Sequence, residues 1–445
     1  MLNEKYSASS GIFFVADFCA SNNVYVWCAQ LIYCVIIEYM SLVIGILIGM
    51  LMLMLLVTAH EFGHFIMARR NGVEVEEFGI CFPPRAIAWR KVNGKWKRIP
   101  RSQWKKMPGE GLVISLNWLP IGGFCQMKGE SDADERKGSF GAASFWGKTK
   151  VLFGGVTANW LIAILVFTVL AWVGMPHFIG NQFQVVSDTK VQVVEPVTIS
   201  DVVEGSPANM AGLIENDEVV SVRSKSRENA EFVTINTVDE LLAYDKDHAG
   251  ELLELTYRRD GGEQVTEVQL NNADSEYLLG ATISGDAVYR STWSAPIVGI
   301  GTTVQLTAET FSGVGRMLVN LVSGAIKQIN VDENVRQSGT QELKSASESV
   351  SGPVGIVGVL FPRVAQSGGR NLAFLVALIS VSLACMNVLP IPALDGGRWA
   401  LIALYRLKKK KLTKEKEEKI VGRAFMAILT FAAIVTVLDI LRIVK

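Results

Sequence analysis

Histidine and cysteine are scarce, with 4 and 6 copies in 445 residues, and positive and negative side chains cancel to a formal net charge of +0. The cysteines (Cys19, Cys28, Cys34, Cys81, Cys125 and Cys385) form no C-x-x-C pair, which excludes a cysteine-based zinc site or a dithiol redox motif. None falls between residues 182 and 290, so that stretch carries no disulfide framework. No basic stripe interleaved with aromatics is present, and nucleic acid is not an expected partner. The amino terminus, MLNEKYSASSGIFFVADFCASNN, has neither the basic n-region nor the small-residue cleavage site of a signal peptide.

Charge is also sparse in four long apolar runs: Ser41 to about Ala68, Val151 to Met175, Leu372 to Leu389, and Ala424 to Val444. Each has spanning length, which predicts a polytopic α-helical protein of the lipid bilayer with about four core transmembrane helices. A weaker run, Asn23 to Ile37, is broken by Gln30 and closed by Glu38. Residues 1–40 are set apart as an N-terminal extension, either sequence upstream of a start at Met40 or one extra N-terminal span. The loop after the first run carries RR, RKVNGKWKR and RSQWKK, and the loop after the third carries YRLKKKKLTKEKEEK; this Lys/Arg bias predicts cytoplasmic loops. The long segment between the second and third runs is acidic (IENDE, DELLAYDKD, GELLE) and is expected on the outside.

The first run closes on LLVTAHEFGHFIMARR, with His60, Glu61 and His64 at its end. An ionisable side chain at the centre of a span costs at least ~2.5 kcal/mol, so three polar groups this close call for a common explanation. Residues four apart stand one helical turn above each other, which brings two imidazoles to one point with Glu61 beside them. That is the H-E-x-x-H zinc pattern, two nitrogen donors and a carboxylate able to accept a proton from water.

Catalytic zinc takes three protein ligands, so a third is required. His177 and His248 read as surface residues of the outer segment. Asp395, in CMNVLPIPALDGGRW, is the better candidate. His60 lies about 19 residues beyond Ser41, ~28 Å along a helix, and Asp395 some 25 residues beyond Arg370 on a run of opposite direction, so both reach a similar depth. Pro390 and Pro392 break the helix just ahead of it, freeing backbone groups that need protein or water around them. The competing reading is an acid that closes a helix beside Arg398.

In order and spacing, HEFGH, GICFPPR, SLNWLPIGGFCQMKGE, GGVTANWLIAI, VSGPVGIVG and NVLPIPALDGGR resemble the site-2 proteases of the bacterial regulator-of-sigma-E type, over nearly everything from Met40 onward. The resemblance implies an intramembrane zinc endopeptidase with Zn²⁺ on His60, His64 and Asp395 and Glu61 as general base. Asn387 then matches an asparagine that holds substrate backbone. Asn159 matches the asparagine of a G-P-x-x-N motif, although Val156 stands where proline is expected; a packing hydrogen bond between spans is the other reading of Asn159. The resemblance also implies a multi-pass protein of the bacterial cytoplasmic (inner) membrane, with its active site near the cytoplasmic side. Its substrates are single-span membrane proteins, such as an anti-sigma factor first cut outside, or signal-peptide remnants.

The domain plan follows. Residues 41–181 form the first membrane half, with the H-E-x-x-H helix, a cytoplasmic loop and the second span. Within it, SLNWLPIGGFCQMKGE predicts a membrane-associated β-hairpin turning at Pro120 to Gly123 between two apolar arms. In the family this segment dips into the membrane, and its edge, at Gly122 and Gly123, is suited to pair with an unwound substrate. Residues 182–290 resemble an extracytoplasmic α/β PDZ domain, with SPANMAGL its most recognisable part, Thr237 as a helix N-cap, a hairpin through Asp260-Gly261-Gly262, and a peptide as its expected ligand. Residues 291–369 are an amphipathic segment, expected as a surface-lying helix pair that covers the site from outside. Residues 370–445 are the second membrane half with the LDG motif and the last span. Two rival functions remain: a catalytically idle PDZ scaffold, and an ion transporter, for which the second and last runs offer little beyond Asn159 and Asp439.

Overall fold

The computed structural model describes residues 24–92, 95–101, 111–179, 181–227, 230–275, 277–330, 332–348 and 355–444. Residues 1–23 of the extension, most of RSQWKK, and the VSGP that opens VSGPVGIVG lie outside these. Helix α1 (Val24–Arg70) is one continuous helix, so the weak apolar run is collinear with the first span and not a separate returning one. No glycine or proline lies between Glu38 and Ser41 to turn the chain. Among the described residues, four helical stretches are long and apolar enough to cross a membrane: Leu42–Arg70, Gly154–Val173, Gly369–Val388 and Lys414–Val437.

After α1 come β1 (Val75–Val92), β2 (Lys95–Arg98) and β3 (Val113–Met127). The expected hairpin is corrected here. Its arms do not pair with each other: Glu77–Ile80 of β1 lies between them, opposing Gln126–Gly123 on one edge and Val113–Leu116 on the other. Asn117 pins this crossing by donating Nδ2 to Ile80 O at 3.2 Å and Cys81 O at 2.9 Å. The outer strand is Gly123–Met127, and Trp118 and Ile121 at the tip are each 65% exposed.

Short helix α2 (Phe145–Leu152), capped by Ser144, leads at Phe153 into α3 (Gly154–Val173). Small residues let α3 approach α1 closely. A Cβ on Gly63 would sit 2.2 Å from Gly154 O, so only glycine permits the contact.

A second sheet follows, entered by β4 (Met175–Pro176), with β5 (Lys190–Val202), helix α4 (Pro207–Met210), β6 (Glu218–Ser224), β7 (Val233–Thr234), helix α5 (Val238–Asp247), β8 (Leu252–Arg259), β9 (Gly262–Gln269) and β10 (Ala281–Arg290). Its order is β4-β10-β5-β6-β8-β9, with β7 on β6. Local chemistry explains its corners. Thr237 and Glu240 form a reciprocal capping box on α5. Asp260 and Gly261, both with positive φ, make the two-residue turn between β8 and β9. Val197, Val222, Leu241, Leu255 and Val268 lie at the centre of its apolar core.

Helix α6 (Ala295–Gln328) packs its first half on α3 through Ala295 and Val298, and its second half on α7 (Glu333–Glu348), where Lys327 Nζ meets Glu342 at 2.5 Å. The post-module segment is thus a helix pair. After α8 (Phe361–Gln366), the chain returns through α9 (Gly369–Val388), α10 (Asp395–Leu407) and α11 (Lys414–Val444).

Candidate active site

The H-E-x-x-H turn lies in the last third of α1, against α3. His60 and His64 are each 6% exposed, and a Cβ on Gly155 of α3 would come within 2.6 Å of both Nε2 atoms. Gly155 is therefore as much a part of the site as the imidazoles it faces. Sequence reasoning met it only as the glycine of the G-P-x-x-N match, because nothing local reveals which glycine of α3 meets α1.

Asp395 arrives from the other membrane half. Helix α9 ends at Val388 because Leu389 is extended ahead of Pro390, and α10 begins at Asp395 itself. Gly396 and Gly397 let the first turn of α10 press on this loop: a Cβ on either would lie 2.1 Å from Val388 O or 1.9 Å from Ile391 O. The result is a near-equilateral triangle of donor atoms. His60 Nε2 and His64 Nε2 are 3.1 Å apart, and Asp395 Oδ2 is 3.1 Å from the first and 3.2 Å from the second.

Two imidazole nitrogens and a carboxylate oxygen are the donor types of catalytic zinc, and tetrahedral binding at ~2.0–2.1 Å requires donor separations of about 3.3 Å. The residues present fit that ion. His64 is oriented by its far nitrogen, Nδ1 donating to Val151 O at 2.8 Å. His60 is oriented by Asn159, whose Nδ2 lies 3.1 Å from His60 Nδ1. So Asn159 touches a candidate ligand directly, which is more than a packing bond between spans.

The triangle opens into a cavity of about 280 Å³ lined also by Glu61, Cys125, Met127, Glu130, Asn387 and Arg398. Glu61 and Cys125 line it together, so the outer strand of the first sheet runs beside Glu61. Gly122 and Gly123 are not in the cavity wall. They face Val57 and Thr58 of α1, at separations that leave little room for a side chain. Sequence reasoning named Arg398 only as a neighbour of Asp395; it donates Nη2 to Glu130 O at 2.7 Å and lies 3.7 Å from buried Glu417 of α11. Glu417 in turn accepts from Asp132 N at 2.9 Å, so the loop after the outer strand is tied to both α10 and α11.

The other histidines are far from this point. His177 is less exposed than expected: it pairs with Asp239 at 2.6 Å and packs its ring at a tilt against Tyr289. His248 donates Nδ1 to Tyr244 O at 2.8 Å.

Comparison with known proteins agrees with the geometry. Residues 48–432 match the model of peptidase family M50. Zinc metalloprotease RasP of Oceanobacillus iheyensis is 25% identical over 459 residues, covering 88% of this chain and 98% of its own. A Clostridium perfringens protein whose name also reads zinc metalloprotease is 26% identical over 400 residues, covering 89% and 98%. ARASP2 of Arabidopsis thaliana, named as a chloroplastic membrane metalloprotease, is 26% identical over 398 residues, covering 87% and 78%. With a family match spanning both halves of the donor triangle, the chain belongs to peptidase family M50, the site-2 proteases, and is a zinc metalloprotease.

Proposed function

We propose that the protein is an intramembrane endopeptidase that cuts the transmembrane segments of single-span proteins, with His60, His64 and Asp395 as zinc donors and Glu61 as general base. The carrying observation is the convergence of three donor atoms within 3.2 Å of one another, in one cavity with Glu61, at the ends of apolar helices. When bound, zinc supplies Lewis-acid polarisation of the scissile carbonyl and of water. Glu61 takes a proton from the attacking water as the C–O bond forms, and returns it to the leaving nitrogen as the C–N bond breaks.

A helical substrate buries its carbonyls in its own hydrogen bonds and has to unwind before hydrolysis. The outer edge of Gly123–Met127 has no strand partner among the described residues and adjoins Glu61, which suits it to pair with an unwound segment. Gly122 and Gly123 hold that strand close to α1, and Asn387 stands in the cavity wall where substrate backbone would lie. The exposed Trp118 and Ile121 suit a sheet tip dipped in lipid.

The second sheet, with its capped α5 and its SPANMAGL turn, is read as a PDZ-type module outside the membrane. It admits peptides of substrates already trimmed there, while the α6–α7 pair covers the site from that side. The Lys/Arg bias of the opposite loops then sets the site near the cytoplasmic face of a bacterial inner membrane. Anti-sigma factors and signal-peptide remnants are the substrate classes that fit.

Glu61→Gln tests this reading. The variant keeps the donor triangle and should bind zinc normally, while hydrolysis falls by at least ~10²-fold, the lower end of general-base contributions. An uncut single-span protein should co-purify with it and be absent from wild type. If Glu61→Gln cells process every membrane protein as wild type does, the protein is a scaffold.

A further inference from the structure

The two histidines differ in what holds their far nitrogens. His64 Nδ1 faces Val151 O, and a carbonyl only accepts, so Nδ1 carries the proton and Nε2 presents a lone pair to the triangle. His60 Nδ1 faces a side-chain amide, which serves either way: its nitrogen donates and its oxygen accepts. That amide belongs to Asn159, 0% exposed on α3, a helix that supplies none of the three donors. Its Oδ1 is buried with no hydrogen-bond partner among the described residues. Independently, Ser380 Oγ of α9 donates to the Asn159 backbone carbonyl at 2.9 Å and fixes the main chain there.

We infer that Asn159 decides which nitrogen of His60 carries the proton, and is thereby a positioning residue of the metal centre; this rests on the donor assignment above. With Nδ2 toward the ring, Nδ1 is the acceptor, the proton sits on Nε2, and that N–H points at Asp395 Oδ2, 3.1 Å away. A protonated nitrogen cannot hold a cation. Rotating the amide by half a turn about its last bond brings Oδ1 to Nδ1, moves the proton there and frees the Nε2 lone pair. The orphaned oxygen is the group that gains a partner. No net charge moves in this exchange. An amide serves both tautomers, a carboxylate only the metal-ready one, and a hydrocarbon neither.

Zinc affinity of the purified full-length protein, measured by competition with a chelator, tests the inference apart from activity. Asn159→Leu should weaken zinc by 10–100-fold, the range seen when a ligand histidine loses its outer hydrogen-bond partner, while Asn159→Asp and Ser380→Ala should stay within about threefold of wild type or bind tighter. The inference is overturned if the Leu variant binds as wild type does. It is equally overturned if Asp or Ser380→Ala falls as far as Leu, since packing then accounts for the loss. A second readout needs no variant: NMR of isotope-labelled histidine in zinc-loaded wild type should show a protonated Nδ1 on His60, and a protonated Nε2 removes His60 from the donor set on which the role rests. Wild type that binds no zinc refutes the donor assignment instead.

Discussion

In the helix bundle, His60, His64 and Asp395 come from two membrane halves and meet with their donor atoms within 3.2 Å. In the second sheet, buried acids stay apart and are dealt with one at a time. Asp217, 0% exposed, takes both arms of Arg259 at 2.7 and 2.6 Å. Asp245, 3% exposed, has burial alone acting on it, which pushes its carboxyl up to about 7. The bundle gathers polar groups at one point because lipid offers them nothing elsewhere, and glycines bring the helices close enough to do so. The sheet has water on its faces and a separate apolar core, so each charge is settled locally.

The largest expected effect breaks the bundle's side of this contrast. In Gly155→Ala the new methyl would lie 2.6 Å from both Nε2 atoms, nearer than real carbons approach, so α3 must withdraw or the imidazoles must turn. Cleavage should fall by on the order of 10²-fold, as for reacting groups misplaced by about an ångström, and zinc content should fall with it. Wild-type zinc content and cleavage in Gly155→Ala would show that α3 does not bound the donor triangle.

How much of this was legible in the sequence follows the same division. His60, Glu61 and His64 could be assigned because a helix fixes where residues four apart point. Asp395 could be matched to them by counting depth along runs of opposite direction. Gly155, Asn159's contact with His60 and the Arg398–Glu130 link depend on the rotation of one helix against another, which no local pattern encodes. The sheets divide likewise. The Asp260-Gly261 turn and the Thr237 cap are local and were readable. The insertion of Glu77–Ile80 between the two arms of β3 is a pairing across some forty residues, and the turn signal at Pro120–Gly123 is the same with or without it.

A middle-sized effect sharpens the sheet's side. The Asp245 carboxyl is raised from 3.8 to about 7 when folded, so the native state holds its proton across that window and the unfolded chain does not. Stability from this group is therefore complete below about pH 4, is lost as pH rises toward 7, and stays lost above. Asp245→Asn removes the dependence. At pH 8 the variant should be more stable by ~2 kcal/mol, half the ceiling of ~4 that the whole shift allows, and at pH 4 it should match wild type. Hydrogen exchange of the α5 and β8 amides across that pH range measures it. Equal exchange in both proteins at pH 8 would mean that Asp245 is charged at no cost.

The smallest effect asks whether the two regions are energetically separate. Thr237 Oγ1 accepts from Glu240 N at 3.1 Å, and the Glu240 carboxylate returns to Thr237 N at 3.3 Å. Thr237→Ala removes one half of this box and should cost the helix ~1 kcal/mol, raising exchange in the first turn of α5 about fivefold. The same turn carries Asp239, which holds His177 just beyond the end of α3. If the sheet is settled locally, the loss ends there, because α3 meets the donor triangle at Gly155 and Asn159, about four to five turns from its far end. Zinc affinity should then be unchanged in Thr237→Ala while α5 exchange rises. A parallel fall in zinc affinity would mean that strain at the His177–Asp239 contact travels the length of α3, and the bundle and the sheet would have to be treated as one cooperative unit.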